Sequence, residues 1–297
     1  MCYTETVKFH GGMQWDRDGK QCEEKNMKHV GKWISVILVL AAILVAVLCS
    51  LGGKWKDKVK NEMQELLERG RKNAYIAEEF YLDGQFLKYG DAECSVGIDV
   101  STHQGEIDWD LVAESGVEFA ILRAGYRGST EGKLYEDSRF EENYRNAKEA
   151  GLMIGVYFFS QAVNESEARE EAQYLCELLD GRELDLPAFY DWEYLEGRVS
   201  RPRKGTLTKL VRAFCDEILR EGYEPGVYFN RDYGDHYLKL NELEDCVLWL
   251  AEYATVPEAS YHFDCVQYTD GGSLPGIQGA VDLDLLILPA EETPSES

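Results

Sequence analysis

An apolar run, Leu186-Pro187-Ala188-Phe189-Tyr190, stops on Asp191-Trp192-Glu193. That pattern reads as a buried β-strand delivering carboxylates to one end of a core. Side chains alternate between the faces of a strand, so Asp191 and Glu193 point one way and Trp192 the other. Two carboxyl groups held together away from bulk water do not both ionise readily. One pKa rises, and that group can then act as a general acid, the chemistry that breaking a glycosidic bond requires. The tripeptide by itself fits equally well a strand end bearing two solvated acids, because 55 of the 297 residues are Asp or Glu.

The elements that would position these acids follow an alternating rhythm. Strand-like apolar runs fall at 96–100, 119–124, 153–160, 187–193, 225–230, 247–252, 263–268 and 281–287, and helix-like segments at 108–115, 138–150, 166–179 and 206–220. Asp108 and Thr206 suit helix amino termini, and Gly116, Gly151, Gly181 and Gly222 follow carboxyl termini. Strands alternating with helices predict an α/β fold with parallel strands closed as a barrel. The last gaps are too short for regular crossover helices. The expectation is therefore an irregular TIM-like β/α barrel of eight strands, its late strands linked by loops or running antiparallel.

Chemistry in such a barrel sits at the carboxyl ends of the parallel strands. Those ends carry Asp99, then Arg123, Tyr157, Asp191 with Glu193, Tyr228 with Asn230, and Glu252, while the late strands add Gln267 and the pair Asp282 and Asp284. Polar and aromatic groups mark the same edge on separate strands, which scattered surface acids would not do.

One stretch lies outside this pattern. Residues 33–51 are 19 in number and carry no charge, long enough as a helix to cross a bilayer core of ~30 Å. With 32 residues ahead of it and no small-residue cleavage site after it, the segment reads as an uncleaved transmembrane helix. Four lysines precede it from Lys20 to Lys32 and four follow from Lys54 to Lys60, so charge bias sets no orientation. Residues 1–72 hold 13 Lys and Arg against 9 Asp and Glu. Of the chain totals of 31 and 55, that leaves 18 and 46 for residues 73–297, a net of −28. A domain so acidic repels nucleic acid and anionic membrane surfaces. The expected organisation is an N-terminal cytoplasmic tail at 1–32, the span at 33–51, a helical stalk or linker at 52–94, the barrel at 95–290 and a C-terminal tail at 291–297. Within the stalk the helical pattern runs over 54–80.

Other signals are weak. Cys94, Cys176, Cys215, Cys246 and Cys265 are odd in number and lack Cys-x-x-Cys spacing, so they form neither a disulfide framework nor a zinc site. The segment from Gly128 to Lys133 is one residue short of a phosphate loop, and Leu134 stands where Ser or Thr is needed. The five histidines have no metal-ligand spacing, although His103 follows the first strand near the candidate site. No Gly-x-Ser-x-Gly elbow occurs. Neither a metal nor a cofactor is expected.

Taken in order, Gly97-Ile-Asp99-Val-Ser101 with Gln104-Gly105, Phe119-Ala-Ile-Leu-Arg123-Ala, Gly155-Val-Tyr157-Phe-Phe, Asp191-Trp-Glu193, Gly226-Val-Tyr228, Leu248-Trp249-Leu-Ala251, Gln267-Tyr268 and Val281-Asp282 resemble the family 25 glycoside hydrolases, the N-acetylmuramidases or lysozymes. The resemblance spans about residues 95–288. It implies a modified β/α barrel that binds peptidoglycan glycan strands and cleaves the β-1,4 bond between N-acetylmuramic acid and N-acetylglucosamine.

By motif, Glu193 matches the family's general acid and Asp191 its partner carboxylate, while Asp99 and Asp282 match the other two acids of the pocket. Tyr157, Tyr228, Trp249, Gln267 and Arg123 fall on the substrate side. Asp191 would stabilise an oxocarbenium-like transition state or orient the 2-acetamido group, and the resemblance favours the second route, with net retention. The whole chain then reads as a single-pass cell-membrane protein with its catalytic domain extracytoplasmic and its tail free to contact a membrane-complex partner. The competing reading is a noncatalytic glycan-binding wall tether or scaffold.

Overall fold

Continuous apolar runs suit strands that are covered on both faces, as parallel strands are. In the computed structural model, the eight runs form β3 (Cys94–Val100), β4 (Phe119–Arg127), β6 (Met153–Ser160), β7 (Ala188–Trp192), β8 (Pro225–Asn230), β9 (Val247–Ala251), β10 (Cys265–Gly272) and β11 (Val281–Ile287). They close in the order β3-β11-β10-β9-β8-β7-β6-β4, with β4 pairing back onto β3. All neighbours run parallel except β11, which is antiparallel to both β10 and β3. A short strand β5 (Leu134–Glu136) extends β4 outside the ring.

The structure describes residues 70–90 and 92–287, together with Lys58 and Lys60. The expected tail at 1–32, the span at 33–51, the remainder of the stalk through residue 69 and the C-terminal tail at 291–297 lie outside the described residues. Among the described residues no helix is long and apolar enough to cross a membrane.

Alternation along the strands sorts the side chains into two cores. The inward set, Phe119, Ile121, Phe189, Trp249, Cys265 and Leu286, fills the barrel. The outward set, including Ile98, Leu122, Phe158, Tyr190, Trp192 and Phe229, packs beneath the helices. Gly97 is required here. A Cβ at that position would lie 2.2 Å from the Phe119 ring, so the ring occupies the floor only because β3 has no side chain there.

The crossovers are α1 (Trp109–Glu114), α2 (Phe140–Glu149), α3 (Glu165–Leu179), α4 (Thr206–Arg220) and the short α5 (Arg231–His236). In α4 the buried positions Leu207, Leu210, Val211, Phe214 and Ile218 repeat at helical spacing and present one apolar stripe to the barrel. Asp108 caps α1 as expected, accepting from the Leu111 N–H. Thr206 does not cap α4. Gly205 takes the cap position and Thr206 is the first helical residue. The β9–β10 and β10–β11 links contain no helix, which is why the last strand can return antiparallel.

Of the expected stalk or linker, Lys58 and Lys60 are helical, residues 70–76 are not, and residues 80–89 form a β-hairpin, β1 (Phe80–Asp83) with β2 (Phe86–Tyr89). The two-residue reversal at Gly84-Gln85, with Gly84 at φ +64°, supplies a tight turn that a helix cannot accommodate. Leu87 is fully buried, and the Tyr268 hydroxyl donates to the Gln85 carbonyl, so the hairpin is part of the barrel's outer packing.

Candidate active site

At the carboxyl ends of the strands a cavity of about 370 Å³ is lined by Asp99, His103, Arg123, Tyr157, Phe159, Asp191, Glu193, Leu195, Tyr228, Trp249, Tyr253, Gln267 and Asp282. All nine residues singled out from the sequence line it. Phe159, Leu195 and Tyr253 were not singled out. Phe159 continues the inward parity of Tyr157 and could have been found by extending that count, whereas Leu195 and Tyr253 lie on loops with no periodicity.

The parity of β7 holds. Asp191 faces the cavity, while Trp192 turns outward and donates its indole N–H to the Ala162 carbonyl at 3.1 Å. Glu193 lies one residue beyond the strand and is held through its backbone, its carbonyl accepting from Gln161 Nε2 at 2.7 Å. The next residue is fixed as well, since the Tyr194 N–H donates to the Tyr233 hydroxyl at 2.9 Å. Arg198 ties the following loop down by donating to both carboxylate oxygens of Glu167 and to the Gln161 carbonyl.

Gln267 links the opposite wall. Its Nε2 donates to Asp99 Oδ2 at 2.7 Å, and its Oε1 accepts from the hydroxyls of Tyr228 at 2.9 Å and Tyr253 at 3.1 Å. Trp249 packs edge-on against Tyr157, Phe189 and Tyr228 and donates its indole N–H to Asp284 at 2.8 Å. At 1% exposure its ring is floor rather than open wall. Arg123 is held by Asp137, which also accepts the backbone N–H groups of Thr102 and Arg139.

Three strand-end residues do something else. Asn230 caps α5 by accepting from the Tyr233 N–H. Glu252 accepts from Arg231 and from the Glu258 and Ala259 N–H groups, fixing the loop after β9. Asp284 is fully buried below the cavity.

The electrostatics follow from burial of many acids beside one guanidinium. Burial pushes Asp191 well above the ordinary carboxylate range, Glu193 adds to the shift, and Arg123 opposes it. Glu193 is raised by burial. Asp99 is raised well by burial and by Asp284 and Asp282, against the Gln267 amide. Asp282 is pushed up to about 6, by burial first and then by Asp270 and Glu193. Both members of the Asp191–Glu193 pair are raised by burial, so the two do not both ionise readily, while Arg123 draws charge toward Asp191 against its burial.

A second cavity of about 470 Å³ shares His103, Arg123, Phe159 and Leu195 with the first and continues past Tyr126, Thr130 and Ser138. The two cavities therefore adjoin along one edge of the rim.

Comparison with known proteins agrees with this architecture. The family model described as glycosyl hydrolases family 25 matches residues 98–277. The autolytic lysozyme of Clostridium acetobutylicum is 35% identical over 191 residues, covering 63% of this chain and 54% of the relative. Lysozyme M1 of Streptomyces globisporus is 40% identical over 101 residues, 33% of this chain and 32% of the relative. The chain thus spans about half or less of these curated relatives. Among solved structures, the modular autolysin LytC of Streptococcus pneumoniae in complex with a synthetic peptidoglycan ligand has a TM-score of 0.60 at 27% identity, over 69% of this chain and 51% of that one. A family 25 glycosyl hydrolase from Bacillus anthracis shares the fold with a TM-score of 0.58 at 23% identity, over 69% and 94%.

Proposed function

The chain belongs to glycosyl hydrolase family 25, and from that premise we propose that it is a membrane-anchored peptidoglycan hydrolase cleaving the β-1,4 bond between N-acetylmuramic acid and N-acetylglucosamine. The observation that carries this reading is the convergence of Asp99, Asp191, Glu193 and Asp282, from the ends of three strands, on one cavity that adjoins a second. The lysozyme relatives and the peptidoglycan-bound autolysin support the same substrate class.

Glu193, whose hold on its proton burial strengthens, gives that proton to the glycosidic oxygen as the bond breaks. Asp191, its charge favoured by Arg123, orients the 2-acetamido group of the sugar or stabilises positive charge at the anomeric carbon. Asp99 and Asp282 add negative potential around the developing oxocarbenium ion. Tyr228 and Tyr253, both bonded to Gln267, offer an aromatic wall for sugar faces.

The uncharged stretch 33–51 supports the anchor, and a wall polymer as substrate requires the barrel to be extracytoplasmic. The test is mass analysis of peptidoglycan fragments after digestion by the full chain in detergent. Fragments with N-acetylmuramic acid at the reducing end are expected. Reducing-end N-acetylglucosamine would refute the bond assignment, and no release would favour a glycan-binding tether. Recovery of the chain in a salt-washed soluble fraction would refute the anchor.

A further inference from the structure

Asp284 has no place in the chemistry above, yet its surroundings are unusual. It is fully buried on the inward face of β11, directly opposite Gly97 on β3 and Gln267 on β10. Gly97 precedes Asp99 by two residues on the same face of β3, so this register sets Asp284 one step below Asp99. One carboxylate oxygen accepts from the Trp249 indole N–H at 2.8 Å, and the other has no donor. Asp99, its neighbour within hydrogen-bonding reach, accepts from Gln267. The groups bearing on Asp284 are Asp99 on β3, Asp282 on β11, Trp249 on β9 and Cys265 on β10, and none is a cation.

Two ionised carboxylates side by side with no cation would leave a lone-pair oxygen facing like charge, at a cost of several kcal/mol. A single proton between them removes both problems. Asp99 already has the Gln267 N–H on one oxygen and faces the cleft, so it is better placed to keep the charge. Asp284, farther from solvent with an oxygen lacking any donor, is better placed to hold the proton. We infer that Asp284 is a positioning residue that stays neutral at physiological pH and donates its proton to Asp99, so that Asp99 remains ionised toward the substrate. Burial, first of all, raises both Asp284 and Asp99 well above the ordinary carboxylate range, so one of the two holds a proton, and the placement of their donors assigns it to Asp284.

The kinetic consequence rests on the hydrolase reading, whereas the proton itself does not. Carboxyl ¹³C NMR of the full chain, with Asp284 assigned through Asp284→Asn, should show a protonated Asp284 at pH 7; an ionised Asp284 would overturn the inference. In digestion assays Asp284→Asn, whose amide can donate to Asp99, should keep kcat within about threefold of wild type and leave the acid limb in place. Asp284→Leu should lower kcat at least about tenfold with little change in KM and move the acid limb to higher pH, because Asp99 must then keep a proton itself. Equal damage by both substitutions, or an unmoved acid limb in Asp284→Leu, would also overturn it. A protonated Asp284 in a wild type that cleaves nothing would refute the hydrolase reading and support the shared proton.

Discussion

Glu171 on α3 offers a stability test that is independent of catalysis. Its carboxylate is fully buried, accepting from Arg127 Nε at 2.7 Å and from the Ser160 hydroxyl at 2.6 Å. The Tyr190 and Ser160 hydroxyl oxygens are 2.8 Å apart, and since Ser160 gives its single proton to Glu171, Tyr190 donates to Ser160. Burial outweighs these partners and pushes Glu171 up to about 7 from the ordinary 4.5. The folded state therefore holds a proton between those values that the unfolded chain has released. Stability from this group is fully present below pH 4.5 and is lost as pH rises through 7. At 1.36 kcal/mol per pH unit the loss between pH 5 and 8 is ~3 kcal/mol, or roughly 6–12 °C in Tm for a domain of this size. Glu171→Gln fixes the group in its neutral form. Urea unfolding at pH 5, 6, 7 and 8 should give a decline in the wild type that exceeds the decline in Glu171→Gln by ~3 kcal/mol. The other raised acids contribute to both proteins and cancel in the comparison. Parallel pH profiles, or a wild type gaining stability across this range relative to the variant, would refute the reasoning.

Other substitutions probe the frame around the cleft. Gly97→Ala drives a methyl to 2.2 Å from the Phe119 ring and should cost ~1–3 kcal/mol in the urea midpoint; an unchanged midpoint would contradict the packing described. Gln161→Leu removes the donor to the Glu193 and Ser160 carbonyls, so kcat should fall more than tenfold while KM changes little, with ~1–3 kcal/mol lost in stability. Tyr253→Phe deletes one of two donors to Gln267 Oε1 at the exposed rim, and steady-state kinetics should show KM rising roughly three- to tenfold with kcat nearly unchanged.

Much of this molecule was legible because period and composition agree. All eight barrel strands fall where continuous Val, Ile, Leu and Phe runs predicted them, and the strand-end reading located Asp99, Arg123, Tyr157, Asp191, Glu193 and Tyr228 on one rim. The closure pattern was only partly legible. That β11 alone runs antiparallel depends on long-range pairing with β3, which no local pattern encodes. The hairpin at 80–89 did have a local signal, Gly84 opening a two-residue turn between apolar runs, masked by the helical spacing of the residues before it. Glu252 and Asn230 shared the rim position of the cleft residues but were drawn off by Arg231 and by a helix end, partners that only the folded chain brings together. The preference for Asp282 over Asp284 as a cleft acid agrees with their placement. What the sequence could not reveal is that Asp284 lies beneath Asp99 with an oxygen lacking a donor.

The central claim is that Glu193 carries the proton to the glycosidic oxygen. Its most direct test is the pH–rate profile of peptidoglycan cleavage for wild type beside Glu193→Gln. Since Glu193 must be protonated and its ionisation is raised by burial, wild-type kcat/KM should fall as pH rises through that raised value. Glu193→Gln should lose ~10²–10⁴-fold in kcat, together with that alkaline limb, while still binding glycan strands. Glu193→Gln turning over at near wild-type rate, or a variant that keeps the alkaline limb unchanged, would contradict the account.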